Sequence, residues 1–97
     1  MNHRIGIIYS PGFGAGWSTW GNPESALDQE LANAIENKES FEIIESIAAK
    51  NWPGQYTGGL EDCVVEWVDK GTQFIIDEYD GNESVHFNFD NYWMVAK

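Results

Sequence analysis

Residues 10–21, which read SPGFGAGWSTWG, are the part of the chain best suited to binding chemistry. They combine four glycines with two tryptophans and one phenylalanine, between an apparent strand and an apparent helix. A connection between two elements needs only about 2–6 residues, and a hydrophobic core does not require glycine at every second position. Glycine lets the backbone approach another group closely, and aromatic rings beside such a backbone can stack on a planar group. The segment therefore predicts a binding loop.

The glycine spacing in this segment departs from known phosphate-binding motifs. The glycines alternate as G-x-G-x-G, whereas dinucleotide-binding loops read G-x-G-x-x-G, and no lysine follows them as in a P-loop. What remains is the general capacity of a helix N-terminus to bind an anion. We expect Ser18, Thr19 and the first turn of a helix beginning near Pro23 to hold the anionic part of a ligand. Trp17 or Trp20 would then stack on its planar part.

Three further loops, residues 52–59, 78–84 and 90–93, share the character of the first. Residues 52–59 contain three glycines and two aromatic residues, and Asp80-Gly81 marks a hairpin turn. If the loops converge, they surround one cavity, as in most small-ligand sites. In the alternative interpretation, the glycines only make turns and the aromatic rings close the ends of a small core. The residues predicted to bind the ligand are Gly12, Phe13, Gly14, Gly16, Trp17, Ser18, Thr19, Trp20, Tyr56, Thr57, Gly58, Gly59, Tyr79 and Asp80.

Side chains that commonly perform catalysis are sparse. His86 fits an outward-facing strand residue better than a general base, and Cys63 fits a small core residue better than a nucleophile. Asp77, Asp80 and Glu83 could form a carboxylate-only site for Mg²⁺ or Ca²⁺, but carboxylates on a hairpin are usually solvated. The sequence therefore predicts no catalytic residue, no metal site and no cofactor, and the protein is not expected to be an enzyme.

Composition narrows the classes of partner. The 97 residues are enough for one domain, 1–97, and carry 16 acidic against 5 basic side chains, a net charge of −11. Such a surface repels nucleic acid and anionic membranes and favours basic partners. The single cysteine suits a reducing compartment, and neither a signal-peptide pattern nor an apolar run of membrane-spanning length is present. We expect a cytoplasmic protein without direct contact to nucleic acid or membrane.

The elements that position the loops follow from hydrophobic periodicity and cap residues. Residues 4–9 form a short apolar run typical of a buried strand. Asn22, followed by Pro23, predicts the start of a helix that ends near Asn37, and Ser40 predicts the cap of a second helix that stops before residues 52–54.

The second half of the chain predicts an antiparallel sheet. Strands are expected at residues 63–68, 72–79 and 84–89, with a short strand or tail at 92–95. The order β-α-α-β-β-β(-β) predicts an α+β fold with two helices packed on one face of a mostly antiparallel sheet. The residues predicted to share one core are Ile5, Ile7, Leu27, Leu31, Ile44, Ile47, Val65 and Phe74.

Nearly the whole chain resembles a family of small, largely uncharacterised bacteriophage accessory proteins with the loop motif G-[YF]-G-A-G-W-S-T-W. The resemblance rests on residues 4–20, 56–59, 66–68, 70–72 and 78–84. It carries no established activity. It implies a phage protein in the cytoplasm of an infected bacterium that acts against host defence.

Two modes of action are open for such a protein. The glycine and aromatic loops favour binding and sequestration of a nucleotide-derived signal without chemistry. The net charge of −11 favours the alternative, an acidic inhibitor that mimics nucleic acid and covers a host defence protein. A homo-oligomer is also expected, with Trp52 and Trp93 as candidate subunit contacts, because five tryptophans are many for one small core.

Overall fold

The strands of the protein form two antiparallel sheets. The computed structural model describes residues 4–87 and 94–95. In one sheet, β1 (Arg4–Tyr9) pairs with β2 (Val64–Asp69). In the other, β3 (Gln73–Tyr79) lies between β4 (Asn82–His86) and the backbone of β5 (Met94–Val95). The α+β class and the order β-α-α-β-β-β are confirmed, but the strands are divided between two sheets instead of one.

The hairpin between β3 and β4 forms at the predicted turn. Asp80 and Gly81 have φ values of 51° and 83°, the left-handed conformations that a tight hairpin turn requires. The last strand of the hairpin begins at Asn82, two residues before the predicted start at residue 84. The predicted end of that strand at residues 88–89 and the predicted contact residue Trp93 lie outside the described residues.

The first predicted helix is divided in two by Asp28. Asn22 caps the start as predicted, because its Oδ1 accepts a hydrogen bond from the Glu24 N–H at 2.9 Å, but only the 3-10 helix Pro23–Leu27 follows. Asp28 is extended and caps α1 (Gln29–Glu36) by accepting from the Leu31 N–H. Its other oxygen accepts from the Trp52 indole N–H at 2.8 Å. Asp28 thus has the extended conformation of an N-cap residue, and its side chain links α1 to Trp52.

The second helix, α2 (Phe41–Asn51), has the predicted limits. Ser40 Oγ accepts from the Ile43 N–H, and the helix ends before Trp52 and Pro53. Trp52 is partly buried against the core, and its indole N–H is bonded to Asp28. Its role as a subunit contact stays a prediction.

Helix α1 lies against the β1–β2 sheet at a glycine. A Cβ atom at Gly6 would be 3.0 Å from the Ala32 Cβ and 2.7 Å from Val65 Cγ1, so glycine permits the close approach of helix and strand. Helix α2 packs mainly against α1. Packing of both helices on one sheet face is therefore not confirmed. No helix in the described part of the chain has the length and apolar character that a membrane crossing requires.

The predicted core residues divide into two clusters, and strand β1 contributes to both. Leu31 and Ile44 belong to the larger cluster, with Ile47 and Val65 packed against it. Ile7 and Phe74 form the smaller one, against which Ile5 and Leu27 pack. The prediction of one continuous core is wrong because β1 contributes its alternate faces to different clusters: Ile8 belongs to the first and Ile7 to the second.

We predict that the larger cluster carries much of the stability. Leu31→Ala removes a fully buried side chain and should lower the free energy of unfolding by about 2–5 kcal/mol. Ile43→Ala, at an exposed position on α2, should change it by less than about 0.5 kcal/mol. Urea denaturation measures both values, and equal losses would contradict the assigned core.

Candidate functional site

A buried carboxylate lies at the centre of the glycine-rich loop, residues 10–21. Glu83, on β4, is 1% exposed. Its Oε1 accepts from the Ser10 N–H at 2.8 Å. Its Oε2 accepts from the Trp17 N–H at 2.8 Å, the Thr19 N–H at 3.0 Å and the Thr19 hydroxyl at 2.6 Å. The loop therefore encloses an anion that belongs to the protein itself.

Backbone hydrogen bonds attach the same loop to the β3–β4 hairpin. The Glu83 N–H donates to the Ser10 carbonyl at 2.6 Å, and the Gly14 N–H donates to the Asp80 carbonyl at 2.7 Å. The Asn82 side chain donates to the Pro11 carbonyl. Bonds of this kind along the loop fix its position on the hairpin.

Close approach of neighbouring segments explains two of the conspicuous glycines. A Cβ atom at Gly81 would be 2.3 Å from the Ala15 nitrogen, and one at Gly59 would be 2.8 Å from the Ala15 and Gly16 carbonyl oxygens. These glycines let three segments of the chain contact one another through their backbones. The group that approaches these glycines closely is therefore the backbone of the chain itself, at Ala15 and Gly16.

The structure corrects the predicted roles of three loop residues. Trp17 is fully buried in the core, and its indole N–H donates to the Ser25 carbonyl at 3.0 Å, so its ring is not available to stack on a ligand. Ser18 is buried as well. The donors of Thr19, expected to hold an anionic ligand, are bonded to Glu83.

Four other aromatic residues of the predicted loops are exposed, and we call them the aromatic face. Their exposed fractions are 69% for Phe13, 44% for Trp20, 56% for Tyr56 and 78% for Tyr79. Trp20 and Tyr56 are stacked, with 5.9 Å between ring centroids and 26° between ring planes. Phe13 comes directly before Gly14, and Tyr79 comes directly before Asp80. The backbone hydrogen bond between Gly14 and Asp80 therefore brings these two positions near each other. The four residues come from three segments that are distant in sequence, and they form two pairs, one joined by ring stacking and one by the neighbouring backbone bond.

Carboxylates surround this face. The exposed Glu78 accepts through Oε2 from the Gly81 N–H at 2.7 Å and from the Trp20 indole N–H at 3.2 Å, and these two bonds hold the pKa of Glu78 below its ordinary value. Asp62 lies against Gly12, where a Cβ atom would be 2.7 Å from the Asp62 Oδ2. Asp80 is exposed in the turn. The face is therefore apolar at its rings and negative around them.

The cations of the described residues lie outside these loops. They are Arg4, Lys38, Lys50 and Lys70. Arg4 donates to the Trp67 carbonyl, and Lys50 is paired with Glu30 at 2.9 Å. An anionic ligand at the aromatic face would thus meet carboxylates instead of basic side chains.

The remaining candidates for chemistry have structural partners. The His86 Nε2 lies 3.1 Å from the Ser84 Oγ and 3.3 Å from the Asp77 Oδ2. Because both contacts involve the same nitrogen, this exposed trio cannot relay a proton as a catalytic triad does. Cys63 is a core residue as predicted, and burial, then the charges of Glu83 and Asp62, raises the pKa of its thiol.

The hypothetical metal site on the hairpin does not form. Glu83 points away from solvent and is bonded to the loop, so it does not join Asp77 and Asp80. Within the described part of the chain, no group of three or more histidine, cysteine, aspartate or glutamate side chains is placed to hold a metal ion.

The structure brings most of the predicted binding residues together, and it adds two that sequence reasoning missed. Thr57 is directed elsewhere, because its hydroxyl donates to Glu45 on α2 at 3.3 Å. The missed residues are Glu78 and Glu83, which face each other across the hairpin. Like charges directly opposite on paired strands are unfavourable, so this pair signals that at least one glutamate has a special partner. The predicted residues around the loop and hairpin are Gly12, Phe13, Gly14, Gly16, Trp20, Tyr56, Gly58, Gly59, Tyr79 and Asp80.

Comparisons of the chain with models of known protein families, with curated proteins and with solved structures found no match.

We predict that the Glu83 charge holds the loop in place. In Glu83→Gln, an amide N–H₂ would face at least one of the donors from Ser10, Trp17 and Thr19, which should cost about 1–3 kcal/mol of unfolding free energy. Glu66→Gln, an exposed change on β2, is the matched control and should cost less than about 0.5 kcal/mol. Equal stabilities of the two variants in urea would contradict this role.

A second pair of variants tests the docking of the loop on the hairpin. Gly81 and Gly71 both have positive φ in turns, but only a Cβ atom at Gly81 would collide with Ala15, while Gly71 has open space. Gly81→Ala should therefore destabilise the protein by about 1–3 kcal/mol more than Gly71→Ala. Thermal unfolding of both variants measures the difference, and its absence would show that the loop does not lie against the turn.

Proposed function

We propose that this chain is a non-catalytic binding protein that covers a basic surface of a partner protein with its aromatic face. The observation that carries the proposal is the exposure of Phe13, Trp20, Tyr56 and Tyr79 on a loop and hairpin fixed by internal hydrogen bonds. Exposed apolar groups mark an interaction surface when they adjoin one another, as the stacked rings of Trp20 and Tyr56 do. Tryptophan and tyrosine are also enriched among the residues that dominate binding energy.

The rigidity of the loop supports protein recognition. Its backbone is tied to Glu83, Asp80 and Asn82 before any partner arrives, so little conformational entropy remains to be lost on binding. The net charge of −11 would steer the chain toward a basic surface and accelerate association at low salt. In the setting that the family resemblance implies, the partner is a host defence protein with a nucleic-acid-binding surface, and the chain inhibits it by covering that surface.

The stacked pair of Trp20 and Tyr56 favours a second candidate, a planar nucleotide-derived ligand. The 5.9 Å between the rings leaves no room for a base between them, so a base would stack on an outer face of the pair. Base–aromatic stacking contributes about 1–3 kcal/mol per base. This candidate is second because the Thr19 hydroxyl already donates its hydrogen bond to Glu83 and because carboxylates surround the rings.

One experiment separates the two candidates. The purified chain is used to capture partners from host cells and, in parallel, is screened by thermal shift against cyclic nucleotides, cyclic oligonucleotides and ADP-ribose derivatives. We expect one identified basic protein to bind the purified chain directly, more weakly as salt rises, and no compound to stabilise the fold. Stabilisation by one compound, about 2.7 kcal/mol at one hundred times its dissociation constant, would establish the second candidate instead.

Two double variants locate the binding surface. Phe13→Ser with Tyr79→Ser removes two rings of the aromatic face and should weaken binding of the captured protein by about 30-fold or more, as expected for interface residues worth 2 kcal/mol or more. Phe41→Ser with Ile43→Ser removes comparable exposed groups from α2 and should leave binding unchanged. Loss of binding only in the α2 variant would contradict the proposed surface.

A further inference from the structure

We propose that Trp20, Tyr56 and Glu78 form a recognition site for the guanidinium group of an arginine side chain. This inference rests on the proposed function and names the partner group that the aromatic face takes. Glu78 lies at the edge of the stacked rings, since its Oε2 accepts from the Trp20 indole N–H at 3.2 Å. Rings and carboxylate thus adjoin at one exposed place.

The hydrogen bonds of Glu78 leave part of its carboxylate for an external donor. Both bonds found in the described part of the chain, from the Gly81 N–H and from Trp20, reach the same oxygen, Oε2. The side chain is exposed, so Oε1 can accept from a partner. The turn thereby orients the Glu78 carboxylate through Oε2 and leaves Oε1 available to accept a further hydrogen bond.

The chemistry of the site matches guanidinium better than other groups. Guanidinium is planar, stacks on the face of tryptophan or tyrosine, and carries N–H donors that bind a carboxylate in the same plane. A lysine ammonium group carries the same charge but lacks the planar shape that stacks on an aromatic ring. A nucleotide has the plane, but its phosphates would meet Glu78 and Asp80 without a neighbouring cation among the described residues.

Neighbouring contacts hold the two rings in place. The Trp20 N–H donates to the Trp17 carbonyl at 3.2 Å, next to Thr19, whose bonds to Glu83 fix this turn of the loop. Tyr56 lies across Gly58, where a Cβ atom would be 2.3 Å from the tyrosine hydroxyl oxygen. The two rings are therefore preorganised for binding an arginine side chain.

The test uses synthetic peptides on the full ¹⁵N-labelled chain. Hexa-arginine and hexalysine are titrated while the Trp20 indole N–H resonance, identified by its loss in Trp20→Phe, is followed by NMR. We expect hexa-arginine to shift this resonance saturably and to bind roughly 5-fold or more tightly than hexalysine. Equal affinities of the two peptides, or a Trp20 resonance that does not move, would overturn the inference.

Variants assign the effect to the site. Trp20→Ala and Glu78→Gln should each weaken hexa-arginine binding roughly 5-fold or more. Phe41→Ala, a change at an aromatic residue of similar exposure at the far end of α2, should leave it unchanged. Circular dichroism checks the fold of each variant, and Glu78→Gln preserves the test if Trp20→Ala unfolds. Unchanged affinity in a folded Glu78→Gln would also overturn the inference.

Failure of this site is distinguishable from failure of the proposed function. If the captured basic protein still depends on Phe13 and Tyr79 while arginine peptides show no preference for Trp20, the arginine site is wrong and the proposed function stands. If no protein partner depends on the aromatic face, the proposed function is wrong, whatever the peptides do.

Discussion

Burial of the Glu83 carboxylate is the constraint on which the rest of this structure depends. A charge removed from water is very unfavourable unless hydrogen-bond donors surround it. Here the donors are the Ser10, Trp17 and Thr19 N–H groups and the Thr19 hydroxyl, all from the loop of residues 10–21. The loop must therefore close over β4, and in doing so it links the end of the first strand to a hairpin more than sixty residues later.

Because of this constraint, the hydrogen-bond donors of the loop bind a carboxylate of the protein and not an external anion. A glycine-rich turn with hydroxyls and free N–H groups suits the binding of an external anion, but here Glu83 supplies the anion. Trp17 is drawn into the core with the same turn, while Trp20, three residues on, remains half exposed and stacks on Tyr56. The loop is thus a rigid support for aromatic side chains, and the neighbouring carboxylates give that surface its negative charge.

Local signals in the sequence predicted much of the fold. Asn22 and Ser40 cap helices through bonds that span two or three residues, and Asp80-Gly81 forms its turn through its own backbone preference. Asp28 also caps a helix through a local bond, from the Leu31 N–H, but the bond of its other oxygen to Trp52, just beyond α2, has no local signal. Local patterns thus predict local bonds, whereas the bond between Asp28 and Trp52 depends on the tertiary fold.

The candidate site was predictable only as a set of segments. Alternating glycines and aromatic residues marked the correct loops, but which tryptophan is buried depends on a partner such as the Ser25 carbonyl, which spacing does not reveal. Glu83 looked like a solvated hairpin residue because its donors lie on a loop at the other end of the chain. Its position opposite Glu78 was the one local sign of a special environment.

Amide hydrogen exchange of the native chain tests the role of Glu83 most directly. Loop amides normally exchange quickly, whereas amides bonded to a buried acceptor exchange only when the structure opens. If Glu83 holds the loop, the Ser10, Trp17 and Thr19 amides should be protected to a degree comparable with the amides of the β1–β2 sheet. Exchange of these three amides at the rates of an unstructured peptide would contradict the account.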